Sequence, residues 1–553
     1  MLSRLHELIK AKNILILGFG REGRSTLNRI LEVGDAASIT IADGNEALTL
    51  PAAMEITTLS GEKKSVSSEE IKLLVGAHYM DSLENYDVVF KSPGVVLPKA
   101  ADEYTCLITS QTEVFFEAYR EQIIGITGTK GKSTTSTLLY HILQESGMDT
   151  VLAGNIGIPF FDILEQITPR TRIVCELSCH QLEYIHVSPH IAILLNIHEE
   201  HLDHYGTMEK YVHAKQQIYL HQKEQDLLFC GLDVLPAKGT CHSHILTVSD
   251  RFASCDVTLT GTRIRFESGD YRIPASEIRL LGHHNHLDIA FDYGVCHELG
   301  VDDESFTKAL ISYEPLPHRL RLIGSLDGVR YYDDSISTIC DTAIQALKSI
   351  PSPGTILIGG MDRGIDYSEL IEYLSVDSVP HIILMEATGK RIYEEIKNSY
   401  PAFHDPGRLH LVEHLSDAVA LAKKADMGLR ILEAYQKKDL DTLKQLAEKE
   451  IPELAVWVEK CRRLRETIWM REGKVFGWEV LDIRFRAMSG RMESVCERVL
   501  AYVNGTIPSL PELEEERIPA FPAATGEHRM EGGWMPWVNL ASPSPMACGW
   551  LPQ

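Results

Sequence analysis

A glycine-rich segment contains the residues best suited to chemistry, in the order Gly128-Thr-Lys-Gly-Lys-Ser-Thr134. An apolar run beginning at Ile123 precedes it and a helical pattern over 134–146 follows, which is the strand–loop–helix context of a phosphate-binding loop. Backbone N–H groups there can surround phosphate oxygens, the Lys132 ammonium can contact the β- and γ-phosphates, and the Ser133 hydroxyl can bind Mg²⁺. We therefore predict nucleoside triphosphate binding, with a ligand-free structural turn as the alternative.

Four polar residues further along the chain, Glu176, His201, Asp203 and Lys215, lie at predicted strand ends or early in helices. Glu176 follows an apolar strand over 173–175, so its carboxylate reaches the edge of the sheet where nucleotides bind. This position suits a Mg²⁺ ligand. Taken singly, each of the four could instead be a surface residue or a satisfied core residue.

The amino-terminal region predicts a βαβ unit with a dinucleotide-type turn. A buried strand over 13–18 leads into Gly18-Phe-Gly-Arg-Glu-Gly23, followed by a helix over 24–33 and a strand over 38–41 that ends near Asp43. Gly18, Gly20 and Gly23 would let the backbone approach a pyrophosphate, and Asp43 could meet a ribose hydroxyl. Ser92-Pro-Gly94 follows another apolar strand and could form a second loop at the same edge. A tight turn without a ligand is the alternative.

A third unit begins near residues 314–319, with a predicted hairpin around Asp327-Gly328 and strands over 355–358 and 381–385. From about residue 425 the pattern changes to long helices with charged faces. The sequence therefore predicts an α/β protein of four segments: residues 1–120, a Rossmann-like domain; 121–313, a central phosphate-loop domain; 314–424, a third domain; and 425–553, a helical extension and tail.

Composition narrows the possible partners. The 553 residues carry a formal charge of -24, which disfavours unspecific binding to nucleic acid or anionic lipid. The 11 cysteines are scattered, as expected for thiols in a reducing compartment, and a metal at Cys175 and Cys179 is disfavoured against their role as small apolar fillers. No apolar stretch is long enough for a membrane span, so the cytoplasm is the expected location.

Taken together, the motifs resemble the Mur ligase family over about residues 1–424. The shared segments occur in the family's order and are Gly128–Thr134, Gly154-Asn-Ile-Gly157, Glu176-Leu-Ser, His201-Leu-Asp-His-Tyr205, Ala214-Lys215, His284-Asn285, Pro317-His-Arg319 and Asp334-Ser335. The amino-terminal Gly18–Ser25 and Ser92–Gly94 segments look like those of members that act on UDP-N-acetylmuramoyl-L-alanine and D-glutamate. The expected architecture is accordingly three domains, the third of them incomplete, followed by an atypical helical extension.

The resemblance also implies a role for each matched residue. ATP would be bound by Gly128, Thr129, Lys130, Gly131, Lys132, Ser133, Thr134, Asn285, Arg319 and Asp334. The UDP-linked precursor would be bound by Gly18, Gly20, Gly23, Asp43, Ser92, Gly94 and Asn155. Mg²⁺ would be held by Ser133, Glu176, His201 and a carbamylated Lys215, and the catalytic residues would be Lys132, Asn155, His201 and Lys215.

The implied reaction is ATP-dependent ligation in peptidoglycan biosynthesis, carried out by a monomer. The alanyl carboxylate of the precursor would attack the γ-phosphorus of ATP to form an acyl phosphate, and the amine of D-glutamate would then displace phosphate. Two Mg²⁺ ions and Lys132 would neutralise the charge on the transferring group.

The carboxyl-terminal part departs from this family. Ile336 stands where some relatives carry lysine, although Thr338 could face the amino acid and Arg363 could hold its carboxylate. The strand and serine loop with which relatives finish the third domain are not recognisable after Lys424. The following helical segment resembles the carboxyl terminus of bacterial family 20 β-N-acetylhexosaminidases, without the paired acids of a sugar-cleaving site. Two alternatives therefore stay open: a related ligase for another amino acid, and a non-catalytic protein that binds nucleotide and precursor.

Overall fold

The central strand of the first sheet is the apolar run Asn13–Leu17, four of whose five residues are buried. This sheet has five strands, all parallel to their neighbours. In spatial order they are Ile71–Val75, Ser38–Asp43, Asn13–Leu17, Val88–Lys91 and Leu107–Thr109. The helices of this region are Leu2–Ile9, Arg21–Val33 and Gln111–Tyr119, and a separate hairpin pairs Ala53–Thr57 with Lys63–Ser67.

The second sheet has nine strands and includes the strand before the glycine-rich segment. In spatial order they are Gly269–Arg272, Arg263–Phe266, Val257–Thr260, His244–Ser249, Leu227–Gly231, Ile191–Leu194, Ile123–Thr127, Arg172–Glu176 and Thr150–Gly154. Arg263–Phe266 pairs antiparallel with both of its neighbours, and the remaining pairings are parallel. Its helices are Lys132–Glu145, Cys179–Leu182, Leu202–Tyr205, Met208–Leu220, His283–Glu298 and Asp303–Ser312.

Smaller elements complete the first of two compact units, Met1–Ile336. Antiparallel strands Arg321–Leu326 and Val329–Asp333 flank the predicted hairpin turn at 327–328, which lies outside the described residues. Short 3₁₀ turns occupy Ser68–Glu70, Leu83–Asn85, Ala101–Glu103, Arg120–Gln122, Phe160–Gln166 and Leu232–Val234.

The second unit, Ser337–Gln553, joins a small sheet to a set of helices. The sheet has parallel strands Thr355–Ile358, His381–Met385 and Leu409–Val412, with helices Cys340–Ser349, Ser368–Val376 and Glu386–Ser399. The later helices are Leu440–Gln445, a π-helical turn at Leu446–Glu450, Ile451–Arg471, Trp478–Val503 and Pro511–Glu514. Their shared core includes Leu443, Leu446, Leu454, Val495 and Val499.

This computed structural model describes residues 1–514 except 59–60, 253, 268, 327–328, 363, 377–378, 401–402, 404–407, 413–414, 416–426, 429 and 472–477. The predicted α/β class is confirmed. Helices begin earlier than predicted, at Arg21 and Lys132, because Gly20 and Gly131 are their N-caps and the residues that follow are already helical. Among the described helices, none combines the length and apolarity that crossing a membrane requires.

Candidate active site

The glycine-rich loop connects the buried strand Ile123–Thr127 to the helix Lys132–Glu145, as the sequence predicts. Gly131 caps the helix with a φ of +86°, in the left-handed region that favours glycine. A Cβ atom at this position would lie 2.6 Å from Asp288 Oδ1. Both the backbone conformation and the close neighbour therefore require glycine here.

Lys132 folds back over the loop that precedes it. Its Nζ donates hydrogen bonds to the carbonyl oxygens of Gly128, at 2.8 Å, and Thr129, at 2.9 Å. Burial lowers the pKa of Lys132, because desolvation disfavours the charged ammonium. The side chain is thus oriented across the loop, where a phosphate on the backbone N–H groups would meet its charge.

Lys215 meets the same loop from the helix Met208–Leu220. Its Nζ donates to the carbonyl of Gly128 at 2.8 Å, the oxygen that also accepts from Lys132. Lys215 is only 1% exposed, and burial, followed by the nearby Lys132 charge, lowers its pKa to about 7. A substantial neutral fraction of this amine therefore exists near neutral pH.

Glu176 ends the strand Arg172–Glu176 beside the strand that carries the loop. Its carboxylate is 1% exposed and accepts a hydrogen bond from Asn155 Nδ2 at 2.7 Å, while Ser136 Oγ lies 3.5 Å from its other oxygen. The structure therefore brings together Asn155 and Glu176, two residues that sequence reasoning placed in the site separately.

Ser133, the first hydroxyl of the helix, contacts Arg319: the Arg319 Nη2 donates to Ser133 Oγ at 3.0 Å. The other predicted nucleotide residues make local bonds. Asn285 Nδ2 donates to the carbonyl of Leu281 at 2.6 Å, and Asp334 Oδ1 accepts from the backbone N–H of Leu320 at 2.9 Å. Arg319 is thus held at the loop, and Asp334 fixes the backbone next to Arg319.

His201 lies at the carboxyl edge in a positive-φ conformation, with φ at +57°. Its Nε2 is 3.9 Å from Glu200 Oε2, and its ring centroid is 5.0 Å from that of His180. Burial, then the neighbouring His204 and His201, lower the pKa of His180 to about 4. The Asp203 side chain lies outside what the structure describes.

The amino-terminal turn forms a second constellation. Gly18 has a φ of +87°, and a Cβ on Gly23 would lie 2.2 Å from the carbonyl oxygen of Gly18. The Asp43 carboxylate accepts from the backbone N–H of Phe19 at 2.7 Å, and Ser92 Oγ donates to the carbonyl of Gly18 at 2.8 Å. Gly20 caps the helix Arg21–Val33, and a Cβ at Gly20 or Gly94 would meet open space. Asp43 and Ser92 therefore fix the turn.

Sequence comparisons connect these sites to known proteins. A family model described as the Mur ligase middle domain matches residues 126–290. UDP-N-acetylmuramoylalanine–D-glutamate ligase of Clostridium acetobutylicum is 30% identical over 431 residues, covering 76% of this chain and 90% of the relative. The enzyme of the same name from Symbiobacterium thermophilum is 32% identical over 368 residues, covering 64% of this chain and 80% of the relative.

The chain belongs to the Mur ligase family. A solved structure of MurF from Acinetobacter baumannii is similar, with 16% identity, a TM-score of 0.47 and coverage of 77% of this chain and 86% of that one. A second family model, the Glycoside Hydrolase 20C C-terminal domain, matches residues 380–532. This confirms the carboxyl-terminal resemblance noted in the sequence.

Two residues predicted to bind the amino acid of a Mur ligase are in the second unit. Thr338 is half-buried two residues before the helix Cys340–Ser349. Arg363 lies outside the described residues. Their role in amino-acid binding therefore stays a prediction.

Sequence reasoning missed two residues at the Mur ligase phosphate loop. Asn196 Oδ1 accepts from the backbone N–H groups of Thr129, at 3.1 Å, and Lys130, at 2.9 Å. Asp288 approaches Gly131, and burial raises its pKa to about 8. An amide at the carboxyl end of a strand next to the loop was a usable signal for Asn196, whereas Asp288 lacked one because it is distant in sequence.

Proposed function

We propose that the chain is an ATP-dependent ligase that joins D-glutamate to the alanyl carboxylate of UDP-N-acetylmuramoyl-L-alanine in peptidoglycan biosynthesis. The observation that carries the proposal is the phosphate loop on which Lys132 and Lys215 converge at one carbonyl oxygen, beside the buried Glu176. The relatives at 30% and 32% identity are both named UDP-N-acetylmuramoylalanine–D-glutamate ligase, which supports the choice of substrates.

The reaction needs an activated carboxylate, because a free carboxylate is a poor acyl donor. An oxygen of the alanyl carboxylate attacks the γ-phosphorus of ATP, the bond to the bridging oxygen of ADP breaks, and an acyl phosphate forms. The amine of D-glutamate then attacks the acyl carbon, phosphate leaves, and the amine loses a proton. Lys132 stabilises the charge that develops on the transferring phosphoryl group.

The oxygen donors of this site fit Mg²⁺. The Ser133 hydroxyl and the buried Glu176 carboxylate are hard oxygen ligands of the kind that Mg²⁺ prefers, and Arg319 already orients Ser133. These two residues would hold the ion, with His201 at a second position as the family resemblance implies. Bound Mg²⁺ would neutralise phosphate charge and orient the γ-phosphate.

Lys215 repels a cation as an ammonium but attracts one as a carbamate. Because its pKa falls to about 7, the neutral amine can attack CO₂, forming a nitrogen–carbon bond and releasing a proton. The product is an anionic carbamate at the position of the former cation. Carbamylation would thereby convert two competing ammonium groups on Gly128 into an opposite-charge pair.

The precursor's uridine diphosphate would bind at the turn Gly18–Gly23. The amino terminus of the helix Arg21–Val33 presents backbone N–H groups there, and the open space at Gly20 and Gly94 permits a close approach. An ATP-dependent reaction on a nucleotide-linked precursor is expected in the cytoplasm.

A second candidate has an observation in its favour. The match to the Glycoside Hydrolase 20C C-terminal domain starts at residue 380, within the second unit's sheet region, and continues to 532. An altered amino-acid pocket would change the amine substrate, or would leave a protein that binds nucleotide and precursor without ligating them.

An ADP-release assay on the full chain separates these functions. Precursor, ATP and Mg²⁺ are supplied with a panel of amino acids that contains D-glutamate, L-glutamate, glycine and L-lysine. The proposal expects ADP release and product formation with D-glutamate and precursor together, and background rates when either is left out. Turnover with another amino acid supports the related ligase, while nucleotide binding without turnover supports the binding protein.

A further inference from the structure

A group of soft and borderline ligands lies on two short helices at the carboxyl edge of the nine-stranded sheet. Cys179 and His180 open the helix Cys179–Leu182, and Glu183 follows its end. His201 and His204 lie at the helix Leu202–Tyr205. His180 and Glu183 are three residues apart, and His201, whose backbone φ is +57°, directly precedes the helix that carries His204.

The ligand atoms of these residues are close together. One atom each from Cys179, His180 and His201 lies within 4.8 Å of the other two, and the same holds for His180, Glu183 and His204. The ring centroids of His180 and His204 are 4.3 Å apart, and His204 Nε2 is 3.2 Å from Glu183 Oε2. His180 belongs to both triads and lies at the centre of the cluster.

Apart from His201, which is common to both sets, these ligands differ in chemistry from the proposed Mg²⁺ ligands. Zn²⁺ takes thiolate and imidazole ligands in a tetrahedron at about 2.0–2.3 Å, so its ligand atoms are separated by roughly 3.3–3.8 Å. The ligand atoms are at most 4.8 Å apart, so side-chain rotations that move them by about 1 Å would reach that geometry. Mg²⁺, by contrast, prefers oxygen ligands in an octahedron.

We propose that Cys179, His180 and His201 bind one Zn²⁺ ion at this edge of the sheet, with the fourth tetrahedral position open to water. The surroundings support the assignment. The Tyr205 hydroxyl is 3.3 Å from His180 Nδ1 and can hold that ring, and the Glu183–His204 pair packs beside it. Cys179 is 2% exposed, so its sulfur is protected from bulk solvent.

The site has a consequence for ligation that rests on the proposed function. His201 is also the residue expected to contact the second Mg²⁺ ion. A His201 imidazole bound to Zn²⁺ could not bind Mg²⁺ at the same time. Zn²⁺ should therefore inhibit ADP release, and an added chelator should restore ADP release. Zn²⁺ binding without any ligation would leave the zinc site standing and would reject the proposed function instead.

The test measures Zn²⁺ affinity of the full chain against a chromophoric chelator, after removal of metal. One equivalent should bind tightly, and Cys179→Ser and His180→Gln should each weaken it by about 100-fold or more, the upper range seen even for outer-shell changes. Cys241→Ser and His78→Gln are the matched controls, since Cys241 is partly exposed and His78 is 87% exposed. Both controls should keep wild-type affinity.

Substitution with Co²⁺ keeps the test decisive when a variant folds poorly. Coordination by Cys179 should produce a thiolate-to-cobalt charge-transfer band in the unaltered chain. Added Zn²⁺ should displace Co²⁺ and remove the band. Circular dichroism of each variant reports folding. Absence of tight Zn²⁺ binding, absence of the band, or equal affinity in folded Cys179→Ser and wild-type chains would overturn the site.

Discussion

The carbonyl oxygen of Gly128 accepts hydrogen bonds from two lysine side chains, both at 2.8 Å. Two ammonium groups in such proximity repel each other, and burial lowers the pKa of both residues. In the proposed mechanism, phosphate binding between the loop and Lys132 and carbamylation of Lys215 would each relieve this repulsion. Under that proposal Lys132 would contact phosphate and the carbamate of Lys215 would contact the metal.

Replacing Lys132 by alanine should abolish ATP turnover, with ADP release falling by about 10³-fold or more, because alanine supplies no charge to the phosphoryl group. Steady-state ADP release measures this effect. Lys223→Ala removes an exposed lysine and should leave the rate unchanged. Retained turnover in Lys132→Ala would reject the assignment of the loop.

Lys215→Ala should also lose activity, but short carboxylic acids such as acetate should partly restore it. Lys215 is buried, so its replacement by alanine leaves a buried space in which an added carboxylate would supply the oxygens of the proposed carbamate. ADP release is measured over a series of acid concentrations. The same acids should not rescue Lys132→Ala, and failure of rescue in Lys215→Ala would count against a carbamate.

Asp288 should make stability depend on pH. Burial raises its pKa to about 8, so between its ordinary value and about 8 the folded chain keeps a proton that the unfolded chain releases. The free energy of unfolding should therefore fall as pH rises through this window, by at most about 1.4 kcal/mol per pH unit. Thermal unfolding at about pH 6 and about pH 8 should show a smaller difference for Asp288→Asn than for wild type.

The control for this prediction is Asp81→Asn, which changes a carboxylate that is 70% exposed. That variant should keep the wild-type pH dependence. An unchanged dependence in Asp288→Asn would show that Asp288 is ionised in the folded chain.

The sequence alone predicted the site residues that lie in recognisable motifs. It missed residues that reach the site only through tertiary packing. Lys132, Glu176 and Lys215 were identifiable because each follows a strand or matches a family segment. Asp288 reaches Gly131 because the helix His283–Glu298 packs near the helix Lys132–Glu145, a juxtaposition of residues more than a hundred positions apart. Local pattern carries no information about that contact.

At the scale of elements, the loop before the helix Lys132–Glu145 depends on one backbone conformation. Gly131→Ala places a Cβ at 2.6 Å from Asp288 Oδ1 in a residue whose φ is +86°. Strain of about 1–3 kcal/mol should weaken binding of an ATP analogue by roughly 5- to 150-fold. Calorimetric titration with a non-hydrolysable analogue measures the change.

Gly147→Ala is the matched control for Gly131→Ala. Gly147 follows the same helix with a φ of +81°, and a Cβ there meets open space. It should lower stability through similar backbone strain without altering affinity for the analogue. Equal affinity in both variants would mean that the Gly131 conformation is unimportant for nucleotide binding.

Apolar runs predicted the central strands well, because strands buried on both faces are continuously apolar. The run at Asn13–Leu17 and the run at Ile123–Thr127 both became inner strands. The strands Val257–Thr260, Arg263–Phe266 and Gly269–Arg272 were not predicted. Arg263–Phe266 and Gly269–Arg272 have alternating or mostly exposed residues at the edge of the sheet, where the apolar pattern is weaker, whereas Val257–Thr260 is a short strand with three of its four residues buried.

At the scale of the whole molecule, tryptophan fluorescence distinguishes the second unit from the first. All six tryptophans lie beyond residue 456, so tryptophan fluorescence reports on the second unit. Arg462 is 7% exposed. Its guanidinium forms one ion pair with Glu459 on the same helix, at 2.8 Å, and another with Asp482 on the next helix, at 2.7 Å. This charge network links Ile451–Arg471 to Trp478–Val503.

Arg462→Leu should therefore lower the midpoint of the thermal transition seen by tryptophan fluorescence, by roughly 2–6 °C. The buried guanidinium bonds to acids on both helices, and leucine leaves those acids without it. Arg463→Leu is the adjacent control, since Arg463 is 73% exposed and its ion pair with Glu459 lies within one helix. Its effect should be within about 1 °C, because exposed helix pairs contribute little. If both variants melt alike, the helices are held together by the apolar core around Leu454 and Val495, and the buried charge network adds nothing measurable.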